Sequence, residues 1–157
     1  MDRKPRIRHK HPAHGVLIPG PKPVIVFLTA CTRGRTPWLT TSNLPDVVVR
    51  AWQRADAWRV GRYVIMPDHV HLCVTPRTGV TLEKWVQYWK ALVTKSHGIR
   101  DWRWQTDHWD VRLRRGDSYL AKWEYVRLNP VRHGLVAAPE EWPHQGEINA
   151  LPWWSDV

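Results

Sequence analysis

Cysteine is nearly absent: the 157-residue chain has two, Cys31 and Cys73, each among apolar strand-like residues and far from any Cys-x-x-Cys spacing. That excludes a disulfide framework and a cysteine-built zinc site, and predicts two reduced core thiols of an intracellular protein. Long apolar runs are missing as well. The longest, Val24 to Cys31, falls far short of the about 20 residues a membrane-spanning helix needs, and the first residues carry no apolar signal region. A cytoplasmic protein with no membrane partner is the expectation. Negative charge is scarce: 14 Asp and Glu stand against 24 Lys and Arg, a net charge of +10. Such a balance points to a polyanionic partner. The cations also cluster, with Arg3, Lys4, Arg6, Arg8 and Lys10 at the front and Arg112, Arg114, Arg115, Lys122, Arg127 and Arg132 near the end. Those clusters are natural phosphate contacts.

The length suits one domain with a proper core. Residues 1–22, rich in Pro, His and basic side chains and without hydrophobic periodicity, read as an extended N-terminal arm. Residues 23–136 form the domain, and 137–157 an irregular Trp- and Pro-rich tail able to lie back across it. Within the domain, Val24–Thr32 is almost continuously apolar and fits a buried strand. Ser42 or Asn43 caps a helix whose buried face runs through Leu44, Val47, Val48, Ala51, Trp52, Ala55 and Trp58. Arg59–Met66 and Asp68–Thr75 form an antiparallel pair broken at Pro67, which a central strand would not accept. Thr81 caps, and Gly98 ends, a helix carrying Leu82, Trp85, Val86, Trp89, Leu92 and Val93 on one stripe, where core packing outweighs base stacking for the two tryptophans. His108–Arg115 alternates as a further strand, and Asp117 or Ser118 starts a last helix that ends at Asn129-Pro130. The order is that of a ferredoxin-like α+β fold: an antiparallel sheet with helices on one face and an added C-terminal helix.

The pattern with most chemistry in it is His69-Val70-His71, after Met66-Pro67-Asp68. On a strand, alternate side chains share a face, so both imidazoles point one way. Such a pair can hold one divalent ion. Taken alone, His-x-His fits two polar residues on the solvated side of a strand better. The wider string Met66-Pro67-Asp68-His69-Val70-His71-Leu72, however, resembles the signature of the HUH single-strand DNA nucleases, in particular the transposase-like branch called REP-associated tyrosine transposases. A second stretch, Tyr125-Val126-Arg127-Leu128-Asn129-Pro130-Val131-Arg132 through Gly134-Leu135-Val136, is similar to that branch's other signature. The resemblance runs from about Val24 to Val136.

The resemblance implies that Tyr125 is the nucleophile and that Asn129 completes a metal site with His69 and His71, holding Mg²⁺ or Mn²⁺. Residues four apart on a helix lie nearly above one another, so Tyr125 and Asn129 are expected to face the same way. Tyr119, rotated about 120° from Tyr125 and in line with Trp123 and Val126, is expected to be buried, and Tyr63 to pack across strands. The implied activity is metal-dependent cleavage and transfer of single-stranded DNA at a hairpin or palindrome through a 5′-phosphotyrosine link, on bacterial chromosomal DNA. A monomer is expected, although dimers that share sites occur among relatives. Arg112, Arg114, Arg115, Arg127 and Arg132 are candidates to hold the DNA backbone, and Trp102 or Trp104 to stack bases, with burial an equal alternative for the two rings. Asp68 is placed to orient an imidazole or simply to make a turn. His133 departs from the family pattern, which favours a small residue there. Two other readings remain: a two-histidine hydrolase that uses water, and a basic hairpin-binding protein without catalysis.

Overall fold

The computed structural model describes residues 24–113 and 119–151. The chain runs β1 (Ile25–Cys31), α1 (Leu44–Arg54), β2 (Trp58–Ile65), β3 (His69–Pro76), α2 (Leu82–His97), β4 (Trp109–Leu113), α3 (Tyr119–Arg127), α4 (Asn129–Arg132) and β5 (Gln145–Glu147). The five strands form one antiparallel sheet in the order β4-β1-β3-β2-β5. This is the expected α+β architecture. None of the described helices is long and apolar enough to cross a membrane.

Strand alternation divides the core in two. Val26, Leu28 and Ala30 of β1 and Val70, Leu72 and Val74 of β3 face α1 and α2, where Trp52, Trp85 and Trp89 fill the main core. The intervening residues face the other way. There Ile25, Val64, Cys73 and Leu113 pack beneath Tyr119, Trp123 and Val126 of α3. One period-2 pattern thus serves two helix layers, and the added helix lies opposite the other two. Both cysteines are buried and neither is in a disulfide.

Several boundaries differ from the sequence reading. The first helix stops at Arg54, because Ala55 has left helical geometry, and Trp58 opens β2 instead. Its spacing from Ala55 matches a helix, but Trp58 is buried from the strand, its indole N–H donating to the Val80 carbonyl at 2.8 Å. In β2 the register shifts between Val60 and Tyr63, so both side chains reach the α1 side. Tyr63, expected to pack across strands, packs edge-on against Trp52 of α1.

The last helix is two pieces. α3 ends at Arg127, and Pro130 lies in the first turn of α4, where no amide donor is required of it. The C-terminal stretch does lie back on the domain, but part of it is a strand and not irregular: β5 pairs with β2, and the Trp142 indole donates to the Ile65 carbonyl at 3.0 Å. The basic arm, the Asp117 or Ser118 cap, Arg114 and Arg115 lie outside the described residues.

Candidate active site

The site starts from register. His69 stands opposite Cys31 and His71 opposite Thr29, so both imidazoles project from the sheet face that α3 covers. The ring centres are 4.8 Å apart. Two imidazoles bound side by side to one ion, with bonds near 2.1 Å, have centres about 4.5–5.5 Å apart. The Nδ1 atoms are already engaged. That of His69 donates to Asp68 Oδ1 at 2.7 Å, since a carboxylate can only accept. That of His71 lies 2.8 Å from the Thr29 hydroxyl. These partners hold both rings at Nδ1, as outer partners do where histidine ligates metal. In chemistry of donors, the pair therefore fits a divalent ion.

Asp68 is itself held. Burial alone would raise its carboxyl, but hydrogen bonds from His69 and Arg35 outweigh that and hold it well below the usual carboxylate range. Arg35 Nε donates to Asp68 Oδ2 at 2.9 Å, and its guanidinium reaches 3.4 Å from His69 Nδ1. Burial, reinforced by the neighbouring His69 ring and the nearby Arg132 and Arg35 guanidiniums, pushes the His71 pKa well down, so the ring is kept neutral. A neutral imidazole is the form that ligates.

α3 and α4 bring the other groups to the same face. Phe27 stacks on His71 at 5.3 Å, and the Lys122 ammonium of α3 lies 5.9 Å above Phe27. His133, just past α4, has its ring centre 6.2 Å from that of His69 and donates Nδ1–H to the Asn129 carbonyl at 2.9 Å. Asn129 is buried, whereas Tyr125 is 65% exposed. The two were expected to share a helix face; they belong to different helices, α3 and α4, on either side of Leu128. Arg132 reconnects them: it donates to the Asn129 Oδ1 and to the Tyr125 carbonyl, and its Cζ lies 4.2 Å from the Tyr125 ring centre. Among the described residues no three His, Cys, Asp or Glu side chains converge as a ready metal cluster. The expected third ligand, Asn129, has its Oδ1 bonded to Arg132.

Tyr119 is buried, as its position relative to Trp123 predicts. Its ring lies under the Arg62 guanidinium and its hydroxyl beside Cys73, and burial pushes its pKa well up. The remaining candidates scatter. Arg112 pairs with Val26 and so shares the α1 and α2 face, opposite the histidines. Arg127 is tied to Glu124 at 2.7 Å and faces Glu140 at 3.7 Å. Trp104 is buried against Trp38 and Trp89, so its ring is committed to the core. Trp102 is half-buried, stacked on Trp38 at 5.8 Å with its planes nearly parallel. Two residues escaped the sequence reading. Thr29 was signalled by a hydroxyl inside an apolar strand, and Arg35 by a basic Arg-Gly-Arg turn just after it.

Comparison with known proteins follows the same lines. Over 122 residues the chain is 26% identical to the REP-associated tyrosine transposase of Escherichia coli K12, the match covering 74% of this chain and 72% of that one. It superimposes with a TM-score of 0.68 on a REP-associated tyrosine transposase solved with a REP hairpin, at 24% identity and covering 83% of this chain and 80% of that chain. A second solved structure, described as a transposase candidate from Deinococcus radiodurans R1, matches with a TM-score of 0.51 and 13% identity, covering 78% and 100% of the two chains. No family model matches. The resemblance carried by the two signatures extends through most of the chain: in sequence and in fold, this protein is similar to the REP-associated tyrosine transposases.

Proposed function

We propose that this protein is a transposase-like DNA-processing enzyme that cleaves and rejoins single-stranded DNA beside a hairpin, with Tyr125 as nucleophile. The observation that supports the reading is the pair of imidazoles, each held at Nδ1, with the His133 ring just past α4 6.2 Å from that of His69 and Arg132 reaching both Asn129 and Tyr125. His69, His71 and Asn129 are the residues to hold Mg²⁺ or Mn²⁺; when bound, the ion supplies Lewis acidity that offsets the charge of the scissile phosphate. A hairpin substrate is supported by the similar structure solved with a REP hairpin.

The chain's own groups divide the work. Tyr125, with its exposed ring, can meet a strand at the surface without opening the core. Its phenol loses a proton to water, the oxygen forms a new bond to phosphorus, and the bond from phosphorus to the 3′ oxygen breaks. The departing 3′ oxygen takes a proton from water. The strand's 5′ phosphate is left on the tyrosine, and because one ester has replaced another, the reverse attack by a 3′-hydroxyl rejoins DNA without ATP. Arg132 supplies a guanidinium at the same place, suited to phosphate oxygens.

The test is a denaturing gel after incubation with Mg²⁺ or Mn²⁺ and a single-stranded hairpin oligonucleotide. A covalent protein–DNA band is expected, absent in Tyr125→Phe and retained in Tyr119→Phe. His69→Ala should remove cleavage while leaving much of the salt-sensitive binding. Cleavage that survives Tyr125→Phe would make water the nucleophile, and binding with no cleavage under any ion would make the protein a hairpin binder.

A further inference from the structure

Arg132 makes contacts that a backbone-holding arginine does not require. One guanidinium donates to the Asn129 Oδ1, donates at 2.9 Å to the carbonyl of Tyr125, and lies 4.2 Å over the Tyr125 ring. It therefore occupies both groups that the end of α3 and the start of α4 would offer to chemistry: the amide oxygen and the face of the phenol. Arg127, two residues before Asn129, is engaged instead with Glu124 and Glu140.

We propose that Arg132 is a DNA-released latch: in the free protein its guanidinium takes the place of the cation on Asn129 and pins Tyr125, and a phosphate of the bound strand draws it away. This inference rests on the metal-and-tyrosine reading above. The exchange is favourable in kind, because a neutral amide, a carbonyl and a ring are traded for a phosphate that a guanidinium can grip with two charge-assisted hydrogen bonds. Arg132 acts here as a positioning residue, through Asn129 and Tyr125. Because coupling is reciprocal, a strand that removes the latch tightens ion binding, and the ion tightens the strand.

The experiment measures free Mn²⁺ by electron paramagnetic resonance during titration of the full chain, with and without a hairpin oligonucleotide, subtracting Mn²⁺ taken up by DNA alone. The unaltered protein should bind Mn²⁺ at least about 5-fold more tightly with DNA, the lower end of ordinary coupling. Arg132→Gln should bind Mn²⁺ more tightly than the unaltered protein without DNA and gain little from adding it. Arg132→Lys, which keeps the charge and loses the fork, should fall between them. A general loss of structure would weaken Mn²⁺ binding, so only release of a latch gives the gain. Equal or weaker Mn²⁺ affinity in Arg132→Gln overturns the latch. If His69→Ala leaves Mn²⁺ affinity of the protein unchanged, the metal site falls, and the latch with it. Loss of the His69-dependent site and failure of the latch alone are thus told apart.

Discussion

At the scale of single residues, Asp68 shows how much of a site lies behind the atoms that would do the chemistry. It accepts from His69 with one oxygen and from Arg35 with the other, so the imidazole is turned and its tautomer set by a group that need never touch the ion. Asp68→Ala is expected to lower Mn²⁺ affinity about 10- to 100-fold while the fold survives, checked by the same titration together with circular dichroism. Aromatic residues divide in the same way. Trp104, enclosed by Trp38 and Trp89, should cost about 3–5 kcal/mol when changed to Ala, read as a shift of the urea midpoint. Trp102, half-buried at the surface, should cost less stability and show its effect in affinity for single-stranded oligonucleotides. Equal stability losses at the two positions would contradict this division. The sequence presented them as a matched pair, because Trp102-Arg103-Trp104 has no helical stripe to say which ring turns inward.

At the scale of elements, α2 has its ends written in its residues. The Thr81 hydroxyl accepts from the Lys84 amide at 3.2 Å, and Gly98, with φ at +65°, adopts the left-handed conformation that ends a helix without a Cβ clash. Thr81→Ala and Gly98→Ala should each cost about 1 kcal/mol. Lying at opposite ends of a 16-residue helix, they should add in the double variant. Thermal unfolding checks this, with about 2–4 °C expected per substitution for a chain of this size. Because α2 packs on the sheet face away from the histidines, adduct formation per folded molecule should not change. The α3–α4 junction is the contrary case. Periodicity read one helix through Asn129, whereas α3 ends at Arg127 and α4 begins at Asn129, with Asn129 buried and Tyr125 exposed. β5 left no trace in the pattern: Gln145-Gly146-Glu147 has no apolar alternation and joins the sheet through its backbone.

At the scale of the molecule, acid should loosen the fold. In the unfolded chain His71 takes up a proton near pH 6.5, as any histidine does. In the folded chain burial and the surrounding positive groups keep it neutral to much lower pH, and burial acts the same way on His97 and His144. Below about pH 6.5 the unfolded state therefore binds more protons, and each such difference lowers stability by up to about 1.4 kcal/mol per pH unit. The melting temperature measured in chelator should fall as pH drops from 7 to 5, and His71→Gln should flatten the fall. A melting temperature unchanged over that range would contradict the burial argument. The net charge of +10 belongs to this scale as well. Yet the folded chain distributes those cations unevenly, placing Arg112 behind the sheet and Arg132 in the site.

By itself the sequence determined what depends on short-range repetition. A period of two puts His69 and His71 on one face, a period of 3.6 buries Tyr119 with Trp123, and apolar runs punctuated by Gly and Pro set the order of strands and helices. Only the tertiary structure decided which distant groups complete the site. Cys31 pairs with His69 across the sheet, which carries the following Arg33-Gly-Arg35 turn to Asp68, and Thr29 meets His71 one step along the same ladder. Side-chain periodicity records how each segment turns its faces, but it does not record which segments become neighbours, and the reach of Arg132 to both Tyr125 and Asn129 depends on a helix break that local propensity blurs.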